Sequence, residues 1–80
     1  MKVNVLYFAH LKTITQKKEE KIDLPNQSTL LELHQELKKK YPHFLDTPYL
    51  SAAINEAYTH FNTSLKEGDT VCFIPPVAGG

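Results

Sequence analysis

Few groups along this chain could do chemistry: one cysteine, Cys72, four histidines, His10, His34, His43 and His60, and the carboxylate that follows Gly79-Gly80. The histidines share no i, i+4 or His-x-His spacing, and with a lone cysteine they do not make a zinc site; each reads as a single surface histidine. Cys72 lies mid-strand in an apolar segment and reads as a small filler rather than a nucleophile. Gly68 is the only internal glycine, so there is no Gly-rich phosphate loop. The terminal carboxylate remains. Two of the three glycines hold the last two positions, where they contribute nothing to stability, because glycine costs more backbone entropy to order than any other residue. An extended tail without side chains can thread a narrow cleft and present its terminal carbon to chemistry supplied by another protein. Pro75 and Pro76 fix φ and hold the tail stiff where it leaves the body, and six residues from Pro75 onward reach about 20 Å.

The elements that must position such a tail follow from the apolar pattern. Residues 2 to 9, rich in Val, Leu, Tyr and Phe, predict a strand, and Ile22 and Leu24, alternating with Lys21 and Asp23, predict its hairpin partner. The alternating-sign cluster Lys17-Lys18-Glu19-Glu20-Lys21 is a solvated hairpin tip or strand flank. Thr29-x-x-Glu32 has capping-box spacing, and Leu30, Leu33, Leu37 and Tyr41 recur as one helical stripe. Lys38, Lys39 and Lys40 suit the end of that helix, and Pro42 stops it. Leu50 to Ile54, the turn Asn55-Glu56 and Ala57 to Thr59 predict a second hairpin, and Gly68-Asp69 turns the chain into a last strand, Thr70 to Ile74. Alternation there places Val71 and Phe73 on the core face and Thr70, Cys72 and Ile74 on the other. With one helix across one face of a small mixed sheet, Phe8, Tyr58 and Ile74 fall on the uncovered face near the tail, where an apolar patch is a docking surface.

Composition narrows the class. Eighty residues make one domain near the size at which a single core becomes marginal, with little room for an internal cleft. Nine cations balance nine acidic residues, and all nine are lysines, which argues against nucleic-acid binding, where arginine forks and net positive charge dominate. A single cysteine fits a reducing compartment. Asn4 interrupts the apolar start and no clean small-x-small cleavage site follows, and no apolar stretch approaches a membrane span of roughly 20 residues. The expectation is a soluble cytoplasmic protein that contacts neither nucleic acid nor membrane, with a domain over residues 1–74 and an extended tail over 75–80.

Leu6-Tyr7-Phe8-Ala9 near the start, Ser28-Thr29 opening the helix, Ala53-Ile54-Asn55, and Gly68-Asp69-x-Val71-x-Phe73-Ile74-Pro75-Pro76-Val77-Ala78-Gly79-Gly80 together resemble the sulfur-carrying small subunits of molybdopterin synthase. The resemblance runs the length of the chain. It departs at Leu11 to Gln16, where relatives commonly show an Arg or Glu and a Gly and this chain has Lys12-Thr13-Ile14-Thr15. It implies an α+β, ubiquitin-like β-grasp fold. It also implies a mechanism: a ubiquitin-activating-like adenylyltransferase uses ATP to convert the Gly80 carboxylate into an acyl-adenylate, and a persulfide donor replaces AMP with sulfur, leaving a thiocarboxylate. Inserted into the large subunit, within a heterotetramer, that sulfur builds the dithiolene of molybdopterin on cyclic pyranopterin monophosphate. By the same resemblance Gly79 admits the tail to the channel, Pro75, Pro76, Val77 and Ala78 guide it, and Phe8, Tyr58 and Ile74 dock the partner. The chain binds no cofactor or metal itself, and catalytic side chains belong to its partners. Related carriers for thiamine, tungsten-cofactor or tRNA thiolation, and a ubiquitin-like modifier or plain interaction module, are the alternatives; the Pro75-Pro76-Val77-Ala78 approach favours the molybdopterin branch.

Overall fold

Val3 and Val5 alternate with Lys2 and Asn4, and this period-two pattern forms the first strand, β1 (Lys2–Leu6), with both valines buried. The computed structural model describes residues 1–42 and 51–74. The remaining elements are α1 (Ala9–Thr15), β2 (Glu19–Asp23), α2 (Leu30–Lys40), β3 (Ser51–Ile54), β4 (Ala57–Tyr58) and β5 (Thr70–Ile74). They make one five-stranded sheet in the order β2-β1-β5-β3-β4. Three of the neighbouring pairs, β1–β2, β3–β4 and β3–β5, are antiparallel, while the central pair, β1 and β5, is parallel, with Asn4 opposite Thr70 and Leu6 opposite Cys72. The mixed sheet with one main helix is the expected α+β architecture.

The core lies between α2 and one face of the sheet. Leu30, Leu33 and Leu37 project from the helix as the expected stripe and join Val3, Val5, Ala52, Val71 and Phe73, all essentially inaccessible to solvent. Tyr41 is the helix C-cap and packs partly buried at its edge. The capping box is present: Glu32 N–H donates to Thr29 Oγ1 at 3.2 Å, and Thr29 N–H donates to Glu32 Oε1 at 2.9 Å. Two further amides at this helix start, those of Leu30 and Leu31, donate to the carbonyls of Thr63 and Phe61 at 3.0 and 2.8 Å. Among the described residues no helix is long and apolar enough to cross a membrane.

Three expectations are corrected. The first strand ends at Leu6 rather than at residue 9, and the connection to β2 is a seven-residue helix rather than a plain hairpin tip. The chain turns out of the sheet through Ala9 at φ 47°, and α1 places Leu11 in the core and is closed by Gln16 in the left-handed conformation at φ 59°. Nor is the charge cluster simply solvated. The Glu20 side chain is only 8% exposed and collects four donors: Tyr7 and Tyr41 hydroxyls at 2.9 and 2.8 Å on Oε1, and the Lys17 and Lys40 ammonium groups on Oε2. These partners come from the end of β1, the turn after α1 and the end of α2. One carboxylate therefore ties three segments together.

The balance of effects at Glu20 is legible in its ionisation. Burial alone raises a carboxyl pKa, but hydrogen bonds from Lys40, Lys17, Tyr41 and Tyr7 outweigh it and hold Glu20 at about 2 instead of the ordinary 4.5. Burial, reinforced by the bond to Glu20, pushes the Tyr7 hydroxyl well above its ordinary value, so it stays a donor. A depressed carboxyl pKa stabilises the folded state above the unfolded value, and that contribution disappears as pH falls through the folded one. Stability of the intact domain is expected to drop between pH 4.5 and 2 by an amount on the order of 1–3 kcal/mol from this group, discounted for the half-exposed lysines. Urea unfolding across that range checks it, and Glu20→Gln should flatten this part of the acid limb while lowering stability at neutral pH.

Candidate functional site

Period-two alternation in the central strands sends one set of side chains into the core and the other to the face that α2 does not cover. On β5 the buried set is Val71 and Phe73, and Thr70, Cys72 and Ile74 point the opposite way, as expected. On β1 the same parity brings Leu6 beside Cys72. The uncovered face forms an open groove of about 570 Å³. Leu6, Ala53, Cys72 and Ile74 supply its apolar surface, Phe8 and Tyr58 flank it, and Asn55, Glu56 and Thr70 form its polar end. All three residues expected on the uncovered face line this groove. Phe8 is 54% exposed and Tyr58 74%, which is high for side chains whose burial is worth roughly 1.5–3 kcal/mol each.

Local geometry explains why Tyr58 stands out. A two-residue hairpin between twisted strands requires positive φ at both turn positions, and Asn55 at 50° and Glu56 at 72° supply it. Asn55 is held further by its side chain, which donates to Asp69 Oδ1 at 3.0 Å and accepts from Thr70 N–H at 2.9 Å. This locks the β3–β4 turn to the start of β5. The strand β4 then runs for two residues, both exposed, and projects Tyr58 over the groove.

The other sequence candidates lie differently. Burial pushes the Cys72 thiol above its ordinary value, so it is protonated at neutral pH and sits in the groove as a small apolar side chain. His34 is not a surface histidine: it is half-buried, with its ring edge-on to Phe61 at 5.8 Å and Phe73 at 6.1 Å. Burial, with Lys38 nearby, lowers its pKa, so the neutral imidazole is part of the aromatic packing. Among the described residues no group of three His, Cys, Asp or Glu side chains could hold a metal. His43 and the tail residues Pro75, Pro76, Val77, Ala78, Gly79 and Gly80 lie outside the described residues.

Leu6, Ala53, Asn55 and Glu56 belong to this surface beyond the sequence expectation. Parity on β1 was the available signal for Leu6, which shares a face with Phe8 two residues on. The polar end depends on long-range pairing, since Asn55 meets Asp69 and Thr70 only in the folded sheet.

Comparison with known proteins places these features in a family. The ThiS family profile matches residues 5–80. The molybdopterin synthase sulfur carrier subunit of Mycobacterium tuberculosis is 35% identical, with all of this chain and 99% of that one covered. A Pyrococcus furiosus structure described as molybdopterin converting factor subunit 1 is 32% identical and superposes with a TM-score of 0.87 over 95% of this chain and 98% of that one. The complex of subunits 1 and 2 of the Helicobacter pylori molybdopterin-converting factor includes a chain 30% identical to this one, with a TM-score of 0.71 and both chains covered completely. A mixed sheet with one covered and one open face, and identity sustained over the whole length, agree with the profile: the chain belongs to the ThiS family.

Proposed function

We propose that this protein is the sulfur carrier subunit of molybdopterin synthase, with a folded domain over residues 1–74 and a tail over 75–80 that carries the cargo on the Gly80 carboxylate. The observation that supports it most is the end of β5: Ile74 lines the apolar groove, so the tail begins at the edge of a surface suited to docking. Full-length identity to sulfur carrier subunits gives the same reading independently.

A carboxylate is a poor electrophile. In this reading a partner adenylyltransferase spends ATP to form the Gly80 acyl-adenylate and releases pyrophosphate. The terminal sulfur of a persulfide attacks the carbonyl carbon and AMP leaves. A thiol then reduces the acyl disulfide and frees the thiocarboxylate. Within the large subunit that sulfur attacks the pterin precursor, cyclic pyranopterin monophosphate, and hydrolysis returns Gly80 to the carboxylate. Gly79 leaves the approach to the carbonyl carbon unobstructed, and Pro75, Pro76, Val77 and Ala78 hold the tail extended on its way in. The domain's own residues bind and orient, docking through Phe8, Tyr58 and Ile74. The chemistry takes place in the partners, in the cytoplasm, and this chain holds no cofactor. The large subunit as partner is supported by the Helicobacter pylori complex of subunits 1 and 2.

Intact-mass measurement of the protein isolated without reductive treatment from sulfur-replete cells expressing the activating enzyme should reveal a species heavier by the difference between one sulfur and one oxygen, located at the C-terminus. Its reproducible absence would sink the carrier reading. Removing Gly80 should abolish sulfur transfer and leave the melting temperature and large-subunit binding nearly unchanged; a truncated chain that no longer folds would show that the tail is no free arm. Phe8→Ala should lower stability by less than about 1 kcal/mol, whereas the buried Phe73→Ala should lower it by about 3–5 kcal/mol. Denaturant titration separates the two, and equal losses would move Phe8 into the core.

A further inference from the structure

Beyond the apolar groove, the open face carries an uneven distribution of charge. Leu6 and Phe8 line a second hollow that adjoins the groove and is bordered by Lys12, Lys18 and Glu19. A third hollow continues over α1 between Lys12, Lys17 and Lys18 and has no acidic side chain in its lining. Lys17 is engaged by Glu20, but Lys12 and Lys18 are exposed and make no ion pair among the described residues. At the other end of the groove Glu56 is the one charged lining residue, also exposed and also outside any ion pair among the described residues. The strand order puts these charges at opposite corners. Lys12 and Lys18 flank the β2 side of the sheet, near the end where β1 finishes; Glu56 sits in the β3–β4 turn on the far side, near the start of β5. The chain as a whole is formally neutral, so the separation lies in placement and not in excess charge. Glu56 holds φ at 72°, a left-handed conformation that glycine takes more readily, yet it is a glutamate.

We infer that the open face selects and orients its protein partner by charge: the partner sets an apolar anchor in the groove, places carboxylates over Lys12 and Lys18 and a cationic side chain over Glu56. The inference rests on the docking reading above and adds the partner's chemistry to it. An apolar groove alone tolerates rotation of whatever docks. Opposite charges at diagonal corners admit one orientation and penalise the reversed one by like-charge contact, which also speeds productive encounter at low salt. The orientation matters because the tail starts beside the lysine corner, at Ile74.

The test uses the full-length chain and the molybdopterin synthase large subunit of the same organism, with association and dissociation rates followed from low to high salt. The double variant Lys12→Glu/Lys18→Glu should associate about tenfold more slowly at low salt and lose most of its salt dependence, with a dissociation rate changed less than association. Lys12→Arg/Lys18→Arg should restore wild-type rates. Glu56→Lys should slow association in the same way. Phe8→Ala should instead speed dissociation and keep the salt dependence. Thermal melts confirm that each variant folds. If the lysine reversals leave association unchanged while Phe8→Ala still weakens binding, docking stands and the charge reading is overturned. If neither alters binding, the docking reading falls as well. Sedimentation showing that the face pairs with a second copy of this chain, Lys12 and Lys18 against Glu56, and that this pairing rather than large-subunit binding is lost in the reversal, would also overturn the inference.

Discussion

The parallel pairing of β1 with β5 is the constraint from which the rest of this architecture follows. Parallel neighbours cannot be joined by a tight turn, so the chain between Leu6 and Thr70 has to cross from one end of the sheet to the other. Every other element is accommodated within that crossing: β2 turns back along the free edge of β1, α2 covers one face, and β3 with β4 extends the sheet beyond β5. Parallel strands are ordinarily covered on both faces. Here α2 covers only one, and Leu6, Cys72 and Ile74 remain on the other. The open groove is thus a direct result of the topology, and a partner that fills it completes the layering that the central pair calls for.

Glu20 secures the same end of the molecule from the side. Its carboxylate is mostly shielded from water, which alone would be costly, and the cost is offset because hydroxyls from Tyr7 and Tyr41 and ammonium groups from Lys17 and Lys40 saturate both oxygens. The edge-on packing of Tyr7 against Tyr41, ring centres 6.4 Å apart, holds the two hydroxyls near one acceptor. Tyr7 directly precedes Phe8. The network that fixes the end of β1 therefore also fixes the backbone from which the groove's exposed phenylalanine projects.

Elements whose signals are local could be read from sequence. The capping box at Thr29 and Glu32, the stripe of Leu30, Leu33 and Leu37, the Asn55-Glu56 turn and the parity of β5 each depend on neighbours a few residues away, and each has the expected form. The short helix α1 was not legible because it has no side-chain cap, seven residues, and a Thr-rich sequence that local propensity assigns no better to helix than to strand. The shielding of Glu20 is not legible in the sequence because three of its four partners lie 13 to 21 residues away and meet it only through the sheet and helix ends. The packing of His34 is hidden for a similar reason: its surroundings, Phe61 and Phe73, arrive from other parts of the chain. The open face was half legible, since parity identified Phe8, Tyr58 and Ile74 but not the charged and polar residues that adjoin them.

The position of β5 also bears on how this molecule comes into being on the ribosome. The strand that joins the β1–β2 pair to the β3–β4 pair is the last to be synthesised of the seven elements among the described residues. Before residues 70–74 emerge, two marginal two-stranded units and an amphipathic helix have no shared sheet on which to condense, because isolated hairpins are barely stable in water. Long-range pairing of this kind closes late and closes everything at once. A chain that stops before β5 lacks both the strand that unites the two halves of the sheet and two central core side chains, Val71 and Phe73.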